Sequence, residues 1–261
     1  MINYIKVALL GNPNTGKTSV FNALTGLNQK VGNYPGVTVE KKQGSCRLDR
    51  LTNARILDLP GTYSLNASSM DESLVVELLL NKNDPDFPDI AVVVTDVENL
   101  KRNLLLFTQI KDLQIPTVLV INMSDQMQRK GIKIDIEKLE EKLNTSVVLV
   151  STRDNSGVDQ LKQVLVDYRS IPSTPILDPT TIDQDYFESL GKAFPNQSLY
   201  KLWLVITQDV NFTKLERQKV PDTAQFKTQP QSYLKKLQQG ETIKRYQTCL
   251  LYTSPSPRDR G

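Results

Sequence analysis

The 261-residue chain is 39% hydrophobic and 23% charged, with a formal net charge of +3. That balance fits one α/β domain with a small appendage and excludes a disordered chain or a strongly basic, nucleic-acid-binding one. The absence of histidine excludes Ser-His triads, His-liganded zinc and imidazole general bases.

Two cysteines, Cys46 and Cys249, lie far apart, so neither a disulfide framework nor a CxxC metal site is expected, and a reducing compartment suits them. The start of the chain carries no secretory pattern, and no apolar run reaches the roughly 18 to 20 residues of a membrane span. As given, the chain reads as soluble.

In chain order, residues 5–10 (IKVALL) predict a short apolar strand that runs into a glycine-rich loop, and a helix opens over 18–24. Residues 39–49 and 54–59 predict two strands joined by a turn near Arg50. The continuous β-branched runs at 90–95 and 116–121 predict strands buried on both faces of a parallel sheet. Between and after them helical spacing recurs: Leu100, Leu104 and Phe107, then Ile136, Leu139 and Leu143. A strand over 147–150 precedes the face formed by Val158, Leu161, Val164 or Leu165, and Tyr168. This alternation predicts a doubly wound, mostly parallel α/β sheet over residues 1–170, with ligands at the carboxyl ends of its strands. A proline-containing linker follows at 171–180. The segment 181–248 reads as a small helical domain, although LWLVI also suits a strand. Residues 249–261 have the composition of a disordered or foreign tail.

Four loops carry chemistry. Gly11-Asn12-Pro13-Asn14-Thr15-Gly16-Lys17-Thr18 matches GxxxxGK[ST] between a strand and a helix. In such a loop, continued by Ser19, backbone N–H groups cradle phosphates, the lysine reaches the β- and γ-phosphates, and the Thr18 hydroxyl ligates magnesium. Asp58-Leu59-Pro60-Gly61 fits DxxG at a strand end, with Asp58 expected on the magnesium side and the Gly61 N–H on the γ-phosphate. Asn122-Met123-Ser124-Asp125 fits the guanine-reading NxxD. A carboxylate at Asp125 accepts from the guanine N1–H and exocyclic amine, two donors that adenine lacks. Met123 stands where lysine is usual, and its thioether can pack on the base. Ser151-Thr152-Arg153 follows the next strand, where backbone N–H groups are expected to meet the guanine O6.

Gly36-Val37-Thr38 lies between the first helix and the second long strand, where switch I belongs. Thr38 is therefore expected to contact magnesium and the γ-phosphate. Thr62 replaces the glutamine that orients water in Ras-like enzymes, so hydrolysis is expected to be slow. Together the loops predict a P-loop GTPase of the Ras-like class that binds GTP and GDP with Mg2+. Lysine and arginine after Ser170 are interspersed with acids and glutamines, which argues against an RNA-binding appendage.

The strings GNPNTGKTSVFNALTG, NYPGVTVEKK, DLPGTYSL, VVVTDVENLKRNLLLFTQI and INMSD resemble the amino-terminal GTPase domain of the ferrous-iron transport protein B family, over about residues 6–168. The resemblance implies that the segment after Pro172 is the family's helical domain, which couples to a transmembrane permease at the cytoplasmic face of the bacterial inner membrane. Iron passage would belong to that permease, so the chain reads as a fragment. The resemblance also implies that Asn14 helps to hold a potassium ion (K+) in place of an arginine finger. Assembly into a homo-oligomer is left open.

Overall fold

The computed structural model describes residues 3–26, 29–34, 38–207 and 229–253. Seven strands form one sheet in the order β2-β3-β4-β1-β5-β6-β7. They are β1 (Asn3–Gly11), β2 (Gln29–Asn33), β3 (Glu40–Arg47), β4 (Thr52–Asp58), β5 (Ile90–Asp96), β6 (Thr117–Asn122) and β7 (Val147–Leu149). β4, β1, β5, β6 and β7 run parallel, while β3 pairs antiparallel with both β4 and β2. The central strands β5 and β6 are buried at every position, as their unbroken β-branched runs require.

α1 (Lys17–Thr25) and α6 (Val158–Val166) cover one face of the sheet, where Ile5, Val7, Leu9, Ile56, Val92 and Val120 face Phe21, Leu24 and Leu161. α2 (Met70–Leu80), α3 (Leu100–Asp112) and α5 (Ile136–Leu143) cover the other. α4 (Asp125–Lys130) is a short helix after β6. The predicted mostly parallel sheet and the positions of its predicted strands are observed, with ends shifted by a residue or two.

Three elements, β2, α2 and the short α4, were absent from the sequence reading. β2, QKVGN, is exposed throughout and has no alternating pattern; it is a strand because β3 offers it a partner. α2 carried a legible start signal: Ser69 accepts a hydrogen bond from the Glu72 N–H, half of a capping box.

After the linker come α7 (Gln184–Ala193), α8 (Leu199–Thr207) and α9 (Gln231–Thr253). LWLVI is therefore helical. The boundary read at 249 falls inside α9, while residues 254–261 lie outside the described ones. Phe187, Leu190, Trp203 and Leu237 join the core on the α3 side of the sheet. This packing explains why α3 is buried well beyond its predicted Leu100–Leu104–Phe107 stripe, at every residue from 103 to 112.

Two charged residues enclosed at the end of α3 find backbone partners. Lys111 donates to the carbonyls of Asn144 and Pro172, and Asp112 accepts from the Ile176 and Leu177 N–H groups. The beginning and the middle of the linker are thus tied to the end of α3. No helix among the described residues is long and apolar enough to cross a membrane.

Candidate functional site: the loops at the carboxyl ends of the strands

β1 ends at Gly11, where a Cβ would drive into the Val94 carbonyl of the neighbouring strand; only glycine lets the chain turn there. The loop then closes on itself. Asn12 is buried, and its carbonyl accepts from both the N–H and the hydroxyl of Thr15. Pro13 and Asn14 are exposed at the tip, with Asn14 at φ +69°. Gly16, at φ +79°, leads into α1. No side chain caps this helix N-terminus and no acid occupies its first turn, so the positive end of the helix dipole is left unneutralised.

Lys17 and Thr18 in that first turn meet Asp58 at the end of β4. The Lys17 ammonium pairs with Asp58 Oδ1, and the Thr18 hydroxyl donates to Oδ2 at 3.2 Å. Ser19 is exposed beside them. Leu59, fully buried, extends the parallel ladder through its N–H to the Leu9 carbonyl, and Pro60 follows half-buried. Gly61 lies against Pro13; a Cβ there would sit 3.1 Å from the proline ring. Thr62 donates its N–H to the Gly11 carbonyl at 3.1 Å. Its side chain is fully buried, with the hydroxyl bonded to the Pro60 carbonyl, so it is a packing residue.

The NxxD loop reaches the same place from β6. Asn122, buried, donates its side-chain amide to the Thr15 carbonyl at 3.0 Å. Met123 follows at φ +62°, and the Ser124 N–H bonds the Val150 carbonyl. Asp125 opens α4 half-buried, and its Oδ1 lies 3.1 Å from the Ser151 hydroxyl. Asp154, which sequence reasoning missed, competes for that hydroxyl at 3.3 Å and returns its own N–H to the serine oxygen. Thr152 is half-buried and Arg153 exposed.

Thus 11–19, 58–62, 122–125 and 151–154 are linked at one end of the sheet. Thr38 is not joined to them: it is exposed ahead of β3 and shares no hydrogen bond with Lys17, Thr18 or Asp58 among the described residues. Gly36 and Val37 lie outside the described residues. Tyr34, just before them, is buried and donates its N–H to the Val39 carbonyl. Burial, reinforced by Asp86 and Asp58, pushes its phenol well above the usual range.

A doubly wound sheet with a glycine-rich loop between β1 and the N-terminus of α1, answered by an aspartate at the end of β4, is the architecture of a P-loop G domain. Comparison with known proteins narrows this. Residues 5–165 match the family model described as "Ferrous iron transport protein B", and the chain belongs to that family. The Fe(2+) transporter FeoB of Leptospira biflexa is 43% identical over 159 residues, covering 61% of this chain and 22% of that protein. The Fe(2+) transporter FeoB of Shigella flexneri is 36% identical over 197 residues, 74% of this chain and 25% of that one. The chain therefore spans about a quarter of the length of these relatives.

Among solved structures, the cytosolic domain of L. pneumophila FeoB superposes with a TM-score of 0.75 at 34% identity, covering 96% of this chain and 97% of that one. An S. thermophilus NFeoB E67A mutant bound to GDP gives 0.74 at 29% identity, covering 97% and 99%.

Proposed function

We propose that this chain binds guanine nucleotides and hydrolyses GTP as the cytoplasmic domain of a ferrous-iron transporter. It would lie at the inner face of the bacterial plasma membrane, with the transmembrane remainder of the parent protein as its partner. The convergence of Lys17, Thr18 and Asp58 beneath an uncapped helix N-terminus carries this reading. The GDP bound to the S. thermophilus relative supports the choice of ligand.

In this reading the backbone from Asn12 to Gly16 and the first turn of α1 hold the β-phosphate, because uncompensated N–H groups and the dipole favour an anion. Lys17 turns from Asp58 to the β- and γ-phosphates. Asp58 and Thr18 offer only hard oxygens, two atoms 3.2 Å apart, which fits magnesium with its remaining positions filled by water and phosphate. Bound there, Mg2+ would supply charge neutralisation between the β- and γ-phosphates. Gly61 presents its N–H to the γ-phosphate, and Thr38 is assigned to the same region. Asn122 holds the phosphate loop against the base loop, Asp125 accepts from the guanine edge, and the Ser151-Thr152-Arg153 backbone meets O6. Met123 lies against the base.

With Thr62 buried, no side chain of the DxxG loop orients water, and cleavage depends on electrostatic stabilisation. Asn14, exposed at the loop tip, offers a carbonyl oxygen suited to K+. The test is single-turnover GTP cleavage with magnesium at fixed ionic strength. Faster cleavage in potassium than in sodium, abolished by Asn14→Ala, is expected, and Lys17→Ala should cleave nothing. Equal rates in the two salts refute the potassium role; turnover surviving in Lys17→Ala refutes the site.

A further inference from the structure

We infer that Arg102 is a positioning residue for GTP cleavage, acting through a stack on Tyr63 that holds the Gly61 N–H in place; this rests on the GTPase reading above. The segment from Gly61 to Ser69 crosses the surface without regular structure, yet its backbone is pinned at intervals. Thr62 donates to the Gly11 carbonyl, Leu65 to the buried Gln109 side chain at 2.8 Å, and Ser68 to Glu72. Tyr63 falls between the first two pins. Its N–H reaches Glu72 at a long 3.3 Å, the residue is 43% exposed, and the Arg102 guanidinium lies 4.9 Å from the ring centroid.

Arg102 and Gln109 stand two turns apart on the same face of α3, so one helix grips the segment at both Tyr63 and Leu65. That helix is itself fixed to the end of β5. Asp96 accepts the N–H of Asn99 at 2.7 Å and the side-chain amides of Asn99 and Asn103. A rigid rail therefore sets the path of the loop only two residues beyond Gly61. Arg102 is exposed and touches none of Lys17, Asp58 or Asp125, so its loss should not disturb nucleotide affinity.

A guanidinium over an exposed aromatic ring makes a modest contribution, and its removal should lower the rate of GTP cleavage about 2- to 5-fold. Arg102→Ala and Tyr63→Leu should each show that loss, with GDP affinity and melting temperature unchanged. The double variant should be no slower than either single one, because both remove the same contact. Tyr63→Phe, which keeps the ring, should retain the parent rate. Independently of turnover, hydrogen exchange of the amides from Thr62 to Leu65 should quicken in Arg102→Ala while the amides of α1 stay as they were. Losses that multiply in the double variant, or exchange and cleavage both unchanged in Arg102→Ala, overturn the inference. A parent domain that cleaves no GTP would sink the GTPase reading alone, and the exchange measurement would still decide whether Arg102 holds the loop.

Discussion

The side-chain amide of Asn122, at the end of β6, donates to the Thr15 carbonyl in the loop after β1 at 3.0 Å. β5 lies between these strands, so one buried hydrogen bond spans a strand and joins the loop proposed to read the base to the loop proposed to hold the phosphates. Asn122→Ala should leave that carbonyl without a donor and unlock both loops. GDP affinity is expected to fall about tenfold or more, read by titration with a fluorescent GDP; unchanged affinity would contradict the tie.

Gly16 makes this approach possible. It sits at φ +79°, and a Cβ there would run into the Asn122 amide. Gly26 also has a positive φ, +59°, but a Cβ would meet nothing within 4 Å. Gly16→Ala should therefore abolish nucleotide binding. Gly26→Ala should cost only the left-handed backbone strain, on the order of 1 kcal/mol of stability, with binding intact. Equal effects of the two substitutions in titration and thermal melts would contradict the steric argument.

Much of this arrangement was legible in the sequence, because each motif needs specific atoms at a strand end: two glycines, a lysine and a threonine at one, an aspartate at the next. Gly11 and Gly16 are demanded by sterics that the spacing already encodes. The burial of Thr62 was not legible, since its environment is set by the return of the chain onto Gly11. Arg102 was missed because its partner, Tyr63, comes from another segment, and Asp154 because it lies just past the Ser151-Thr152-Arg153 string and only the turn of the loop brings it back to Ser151. Thr38 was placed by position in the chain, and the structure does not bring it to the Lys17–Asp58 pair.

A buried ionic cluster joins α9 to α3. Arg245 bonds Asp112 at 2.7 Å and Glu241 at 2.9 Å, and Glu241 also accepts from Gln109, Asn66 and Tyr200. Burial opposes the charge on both carboxylates. At Asp112 it wins and raises the acid, while at Glu241 Arg245 and the amide donors outweigh it and lower the acid. Arg245→Met would leave two carboxylates enclosed without their cation. It should destabilise the fold by about 3–5 kcal/mol, measured by urea unfolding; a loss under about 1 kcal/mol, the range of a surface pair, would contradict the burial of the cluster.

Lys111 supplies a pH test. Burial lowers its ammonium from 10.5 to about 8, so between those values the unfolded chain binds more protons than the folded one, and this lysine makes stability rise with pH. Below pH 8 both states are protonated and the burial penalty is fully present. The unfolding free energy of the parent relative to Lys111→Met should therefore increase between pH 7 and pH 10, by a comparison that cancels the buried thiols and phenols. A difference that stays flat with pH, in denaturant titrations at both ends of the range, would contradict the assignment.

The central claim is that the four linked loops form a guanine-nucleotide site, and competition between nucleotides at that site tests it most directly. On this proposal Asp125 would offer its carboxylate to two donors of guanine, and adenine would leave that charge facing no donor. Displacement of fluorescent GDP from the domain should need about 100-fold more ADP than GDP, or beyond. Asp125→Ala should erase the difference, mainly by weakening GDP. Equal displacement by ADP and GDP from the unmodified domain would contradict the account.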